Sequence, residues 1–328
     1  MTLNLFEQIP AHKCLLYHPM ILMVAFLILT GCSTTQTVVE KTTKEVTRTT
    51  RDISRKFILS DEDLKRSVSI INFENNTLQK SQTFQDVFHK GLPDYLNSQC
   101  PGITLIDPAD ETGMRDSFKA PPKLVTGIID GYALTLLGRQ LGLNAIVTGS
   151  LEDIRIIDEM QGVLWTKETQ HLLLVFIRVE VFDTRTATKI LDNTFDRRIE
   201  IDDLEYRMIR DNKKINLPEL NDTMHRLLTD IGDSICDAVR DQPWNGYITK
   251  INEDRFVIPS GTNVGLELGD ILEVYDSSRT MEGIAGQRFF IPGLKIGEIE
   301  IVSIKEKSLE AKLITGEGIK TGSTVQRK

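Results

Sequence analysis

The chain has 328 residues, of which 40% are hydrophobic and 26% are charged, and its formal net charge at pH 7 is −8. This length is sufficient for two domains, and the composition is that of an ordinary globular protein. The acidic balance excludes the basic surface on which nucleic-acid-binding proteins depend. We therefore expect no nucleic-acid partner.

The first 56 residues predict a leader and a tether. Residues 20–31 form an apolar run. Its length matches the hydrophobic region of a signal peptide, about 7–15 residues, and falls short of the roughly 20 residues of a membrane span. Residues 32–56 are rich in threonine and in charges of both signs, so they bury too little apolar surface to offset the entropy lost on folding. We interpret 1–31 as a signal segment and 32–56 as a flexible tether, with a short amphipathic helix as the alternative for the tether.

The end of the apolar run, Leu29-Thr30-Gly31-Cys32, resembles the lipobox of bacterial lipoproteins. In that family a signal peptidase cleaves before the cysteine, and the thiol carries lipid. The resemblance therefore implies cleavage between Gly31 and Cys32 and acylation of Cys32. Ser33 is not the aspartate that retains lipoproteins on the inner membrane of enteric bacteria, which favours the periplasmic face of the outer membrane. An ordinary secretory signal with a chance cysteine is the alternative.

Residues 57–242 predict a mixed α/β domain. Segments rich in β-branched residues predict strands at 67–73, 102–108, 144–156 and, as two strands around a turn, 171–201. Apolar residues at helical spacing predict helices at 84–99, 127–143 and 218–240. Polar stretches at 157–162 and 166–171 are expected to interrupt the strands on either side of them.

Residues 243–328 predict a small all-β domain, which we expect to be an SH3-like barrel. Helical patterning stops at Pro243, and short strands then alternate with glycine turns. Closing the sheet into a barrel would remove exposed strand edges. The densest turn motif comprises Gly261, Asn263, Gly265, Gly269 and Asp270. No lysine follows these glycines and no helix is predicted after them, so we interpret the motif as a structural turn and not as a phosphate-binding loop.

This last region is similar to the carboxy-terminal domain of flagellar assembly protein T. The likeness is carried by the turn motif and by Ile296, Gly297 and Glu298 in a later strand, and the sequence departs from the family at Ser323. Upstream, residues 68–77, 138–154 and 179–195 resemble the curli secretion channel subunit, the middle domain of flagellar assembly protein T and the amino-terminal domain of the Tol system. These families share an α/β fold that serves as a docking module.

The resemblances imply a lipid-anchored periplasmic scaffold without a catalytic role, in the assembly of the flagellar basal-body ring at the outer membrane. The implied partners are periplasmic envelope proteins, flagellar ring components and further copies of the chain. The alternatives are a curli-type secretion channel subunit and a lipoprotein activator of a cell-wall synthase. No cofactor is implied.

Few residues offer reactive chemistry. The histidines after the leader are His89, His171 and His225, and none has metal-ligand spacing to another histidine or to a cysteine, so we expect no metal site. Cys100 and Cys236 either form a disulfide in an oxidising periplasm or remain buried thiols.

The two tryptophans offer large side chains for a contact. Trp165 and Trp244 are both candidates for anchoring a partner surface. For Trp244 we expect packing at the junction of the two domains.

Overall fold

The computed structural model of the chain describes residues 63–328, except for residues 78–83, 85–86, 109–117, 119, 164, 166 and 213–217. The interpretations of a signal segment, of lipidation at Cys32 and of a tether lie outside the described residues. Within the described part, no helix has both the length and the apolar character needed to cross a membrane.

A five-stranded sheet forms the centre of the first lobe, in the order β2-β1-β3-β4-β5. Its strands are β1 (Arg66–Asn75), β2 (Ile103–Leu105), β3 (Ala145–Gln161), β4 (Glu168–Asp183) and β5 (Lys189–Ile201). β1 pairs in parallel with β2 and β3, whereas β3, β4 and β5 are antiparallel. The parallel pairs require crossover connections, and helices supply them.

Strands β3 and β4 are longer than the sequence predicted. Their ladder continues to the pair Gln161–Glu168, through the polar stretches that we expected to interrupt it. Polar side chains are tolerated there because the ladder bonds connect backbone groups and one sheet face is open to water.

Within the described ranges, four α-helices pack on this sheet, namely α1 (Leu92–Gln99), α2 (Gly131–Gln140), α3 (Asp203–Asn212) and α4 (Pro218–Arg240). The helix predicted at 84–99 becomes a π-helical turn at Val87–Gly91 followed by α1, since Gly91 and Pro93 disfavour continuous helix. α2 is capped by Asp130, whose side chain accepts a bond from Ala133 N at 3.1 Å. It is followed by Gly142 at φ +70°, a left-handed conformation that glycine commonly adopts just after a helix.

The main hydrophobic core lies between one face of the sheet and helices α1 and α4. Alternate residues of β4, from Leu173 to Val181, are fully buried there. α4 contributes the apolar stripe expected from its spacing, namely Leu220, Met224, Leu227, Leu228, Ile231, Ile235 and Val239. α2 covers part of the opposite face, over Ile146 and Phe182.

The second lobe is a seven-stranded sheet curled into a half-barrel, in the order β6-β14-β9-β12-β13-β8-β7. Its strands are β6 (Gly246–Tyr247), β7 (Lys250–Asn252), β8 (Arg255–Ile258), β9 (Ile271–Tyr275), β12 (Lys295–Ile304), β13 (Leu309–Gly316) and β14 (Thr324–Arg327). A separate two-stranded ribbon comprises β10 (Thr280–Glu282) and β11 (Arg288–Phe290).

The half-barrel differs from the closed barrel that we expected, because no ladder within the described residues joins its edge strands β6 and β7. Only Ile248 and Thr249 separate those strands in the chain. Ile248 N donates to Ser323 O at 3.0 Å, and Thr249 N donates to Val257 O at 2.9 Å. One segment therefore bonds to both sides of the curled sheet and spans the gap where a ladder would close a barrel.

Candidate functional site

The two lobes meet at a buried polar junction, and both belong to one compact unit that extends from Asp61 to Lys328. Arg139, at the end of α2, is its central cation. Its Nε donates to Thr184 O at 2.8 Å and its Nη2 donates to Arg185 O at 2.7 Å. The guanidinium also lies over the ring of Tyr247, 4.9 Å from the centroid. Burial lowers the pKa of Arg139 from its ordinary value, whereas the neighbouring Tyr247 and Asp183 act in the opposite direction.

The two carbonyl oxygens that Arg139 contacts belong to its own lobe, and other hydrogen bonds beside it connect the two lobes. Asn144 accepts from Ser67 N at 2.9 Å through Oδ1 and donates to Asn245 O at 2.8 Å through Nδ2. The hydroxyls of Thr184 and Tyr247 are 2.8 Å apart, and Asn245 Nδ2 donates to that tyrosine oxygen at 2.6 Å. Burial raises the pKa of Tyr247 to about 12, so its hydroxyl stays protonated in this network at neutral pH.

Aromatic rings extend the contact to the β10–β11 ribbon. The rings of Tyr132 and Phe290 stack at 4.7 Å, and the guanidinium of Arg139 lies 3.4 Å from the centroid of Phe290. The guanidinium of Arg288 lies 4.1 Å from the ring centroid of Tyr132. Cations thus alternate with aromatic faces, an arrangement that each ring quadrupole favours.

The amino-terminal end of the described chain also crosses the junction. Leu64 precedes β1 in sequence, yet its side chain is fully buried in the core of the half-barrel with Trp244. Arg66 donates to Gln242 O through Nε at 3.1 Å and through Nη2 at 2.9 Å. The boundary predicted between residues 242 and 243 therefore coincides with a segment that both lobes hold in place.

The predicted turn motif lies at the same junction. A Cβ on Gly261 would come within 1.6 Å of Glu306 O, so only glycine allows this close approach of two backbones. Gly265 and Gly269 have φ angles of +97° and +88°, in the left-handed region that favours glycine. Asp270 accepts from Glu267 N at 3.0 Å and so closes its own turn.

Asn263 of this motif lines a cleft of about 330 Å³ between the lobes. Ser260 lies in the same lining, and its hydroxyl is buried without a hydrogen-bond partner among the described residues. The motif thus has a structural role at the junction.

Cys100 and Cys236 form a disulfide in the structure, with their Cα atoms 5.9 Å apart. Cys100 follows α1 directly and Cys236 lies in the last third of α4. The bond therefore ties together the two helices that cover the main core.

His171 lies near the far end of the sheet from the junction. Its Nδ1 is 2.7 Å from Asp158 Oδ1 and its Nε2 is 3.2 Å from Asp203 Oδ1. The imidazole also stacks on Tyr206, with centroids 4.0 Å apart. These contacts connect β3, β4 and the start of α3. His171 thus holds these three elements together. The described residues contain no cluster of three or more potential metal ligands.

The two tryptophans have contrasting environments. Trp165 lies at the tip of the β3–β4 hairpin and is 91% exposed. Trp244 is fully buried in the half-barrel core, beside the junction, where we expected it. The buried polar network could not be found from the sequence, because its members are scattered from Ser67 to Tyr247 and none belongs to a recognisable motif.

Comparisons with known proteins identify no family: no family model and no curated protein matches the chain. Among solved structures, the chain is similar to a hypothetical protein from Chlamydia trachomatis, with 18% identity over 53% of this chain and 98% of that one and a TM-score of 0.36. It is also similar to the lipoprotein GNA1162 from Neisseria meningitidis, with 11% identity over 52% of this chain and 99% of that one and a TM-score of 0.30. TolB from Acinetobacter baumannii matches at 12% identity over 80% of this chain and 60% of that one, with a TM-score of 0.25. At scores this low, the overlaps assign the chain neither a family nor a function.

Proposed function

We propose that the chain is a lipid-anchored protein of the bacterial periplasm that acts as a scaffold, without a catalytic role, in the assembly of an envelope structure. The lipobox-like sequence at Cys32 supports the anchor. The buried junction is the observation that carries the scaffold role, because it holds two lobes with separate cores at a fixed spacing. A rigid body of this kind presents two surfaces to partners in a constant geometry.

Anchoring would strengthen weak contacts. The lipid confines the lobes to one membrane surface, which raises the effective concentration of partners on that surface. The tether predicted at residues 32–56 would reach at most roughly 90 Å when fully extended. The two lobes would therefore reach partners well away from the bilayer.

The finer assignment is to the outer-membrane ring of the flagellar basal body. It rests on the likeness of the turn motif and of the strand at Ile296–Glu298 to flagellar assembly protein T, with the first lobe as the curli-channel-like or Tol-like module and the second as the SH3-like one. The partners would be ring components at the periplasmic face of the outer membrane.

In-cell crosslinking of the full chain with a carboxy-terminal tag, followed by mass spectrometry, tests this function. We expect to capture envelope proteins, and we expect their capture to require the lipid anchor. The Cys32→Ser variant is therefore the matched control and should capture none of them. Capture of flagellar ring proteins would support the finer assignment. Capture of secretion-channel proteins or of cell-wall synthases would instead support the corresponding alternative function. A set of captured proteins that is identical for both variants and contains no envelope component would contradict the proposal.

A further inference from the structure

Strand β5 (Lys189–Ile201) presents the longest edge in the part of the chain that the structure describes. It has 13 residues, forms one end of the five-stranded sheet and pairs only with β4. No described backbone group bonds to it from the other side. The opposite end of the same sheet is β2, which has 3 residues. Such an edge offers a row of N–H and C=O groups to another extended strand.

Charged side chains often protect strand edges from pairing. The charges of β5, however, are complementary to those of a second, antiparallel copy of β5. When two copies of β5 run antiparallel about a twofold axis at Phe195, Asp192 lies directly opposite Arg198 of the second copy. Symmetry repeats this pair, so unlike charges face each other twice. Leu191 then lies opposite Ile199, on the face that α4 covers.

Each neighbouring register either places like charges opposite each other or pairs no opposite charges. An axis at Thr194 places Asp192 opposite Asp196, and an axis at Asp196 places that carboxylate opposite its own copy. An axis at Arg197 pairs Asp196 with Arg198 twice, but it also places two Arg197 guanidinium groups opposite each other. An axis at Asn193 pairs no opposite charges. Like charges directly opposite each other destabilise a sheet, whereas opposite charges stabilise it. The charge pattern therefore favours one register.

The paired side chains are accessible in the single chain. Arg178 holds Asp192 through two hydrogen bonds of 2.9 Å, which leaves that side chain 38% exposed. Arg198 is 63% exposed and contacts Glu159 at 3.3 Å. A bond between Asp192 and Arg198 of another copy would connect these two ion pairs into one network without breaking either. Networks of charges contribute more than isolated surface pairs.

We propose that β5 is a self-association edge, at which a second copy of this chain adds its own β5 antiparallel about Phe195 and joins the two five-stranded sheets into one. Backbone hydrogen bonds supply the affinity, and the Asp192–Arg198 pairs set the register. The proposal depends on β5 alone and does not require the lipid anchor, so it can fail while the scaffold role stands.

Cysteine crosslinking tests the register. In the proposed dimer, position 194 of one copy lies opposite position 196 of the other, within the roughly 4–7 Å between Cα atoms that a disulfide allows. Two full-length variants with different tags, Thr194→Cys and Asp196→Cys, are mixed in detergent and oxidised. We expect a disulfide dimer that carries both tags, and much less dimer from either variant alone. An absence of mixed-tag dimer, or equal crosslinking in all samples, would overturn the proposal.

Charge reversal tests the same edge without engineered cysteines. Arg198→Glu places like charges opposite each other twice, and we expect the dimer to dissociate roughly tenfold more readily in analytical ultracentrifugation. Arg207→Glu, an exposed arginine on α3, is the matched control and should behave as the natural chain does. A chain that is monomeric at its highest soluble concentration, or a dimer that both variants leave unchanged, would refute self-association through β5.

Discussion

At the scale of single residues, the junction depends on side chains that few substitutions could replace. Arg139 meets two carbonyl oxygens and two aromatic faces at once, which requires a planar guanidinium with several donors. Asn144 accepts from Ser67 N within its own lobe and donates to Asn245 O across the junction. Buried groups of this kind stabilise the fold only while every partner is present.

Arg139→Lys should lower the free energy of unfolding by about 1–3 kcal/mol, because a single ammonium leaves a buried carbonyl without its donor. Chemical denaturation of the full chain measures the change. Arg207→Lys, on the exposed side of α3, is the control and should alter stability by less than about 0.5 kcal/mol. Equal effects of the two substitutions would show that the junction does not depend on the guanidinium.

Gly261→Ala should lower the free energy of unfolding by about 1–3 kcal/mol or more, since the new Cβ would meet Glu306 O at 1.6 Å and the backbones must move apart. Gly102→Ala provides a matched comparison, because a Cβ there has no heavy atom within 4 Å. Thermal unfolding of both variants checks this prediction. A loss at Gly102 as large as that at Gly261 would contradict the close approach.

At the scale of elements, α1 and α4 depend on each other. α1 has only 8 residues and is too short to be stable alone, and both helices bury their apolar faces against the same sheet. The Cys100–Cys236 disulfide joins them across 136 residues of chain, so it restricts the unfolded state over a long loop.

Replacement of both cysteines by alanine should therefore lower the free energy of unfolding by about 2–4 kcal/mol. Urea denaturation of the natural chain and of the double variant, with and without reductant, measures this loss. Reductant should destabilise the natural chain and leave the double variant unchanged. Equal sensitivity of both proteins would mean that another bond carries the effect.

The sequence predicted most elements, since their signals are local. The α4 helix follows from the spacing of its apolar residues, and the left-handed Gly265 and Gly269 follow from turn chemistry. The sequence did not predict the short β10–β11 ribbon, because strands of three residues have almost no recognisable pattern. The sequence also did not predict the extension of β3 or the packing of Leu64 in the other lobe, because both depend on residues that are distant in sequence.

At the scale of the whole molecule, the two cores should behave as one folding unit. The junction buries polar groups of both lobes against each other. Separation would remove the Asn245 acceptor of Asn144 and the Tyr247 and Phe290 rings that cover Arg139. The rigid arrangement, and with it the proposed scaffold role, depends on this coupling.

Unfolding of the two lobes should be simultaneous. The chain has 2 tryptophans, and the substitution Trp165→Phe leaves only Trp244, in the half-barrel core. The fluorescence of Trp244 then reports the unfolding of that lobe, whereas circular dichroism reports the loss of the helices. We expect coincident transitions in denaturant, as for a two-state protein. Adding Asn144→Ala should separate them, and coincidence in both proteins would show that this side chain does not couple the lobes.

The lipid anchor at Cys32 is the central claim that a single measurement tests most directly. Cells that express the natural chain or Cys32→Ser are fed a palmitate analogue, and the purified proteins are examined for label and for their membrane fraction. We predict label and membrane association in the natural chain and the loss of both in the variant. A natural chain without label, or a Cys32→Ser variant that still carries it, would contradict a lipid-anchored scaffold.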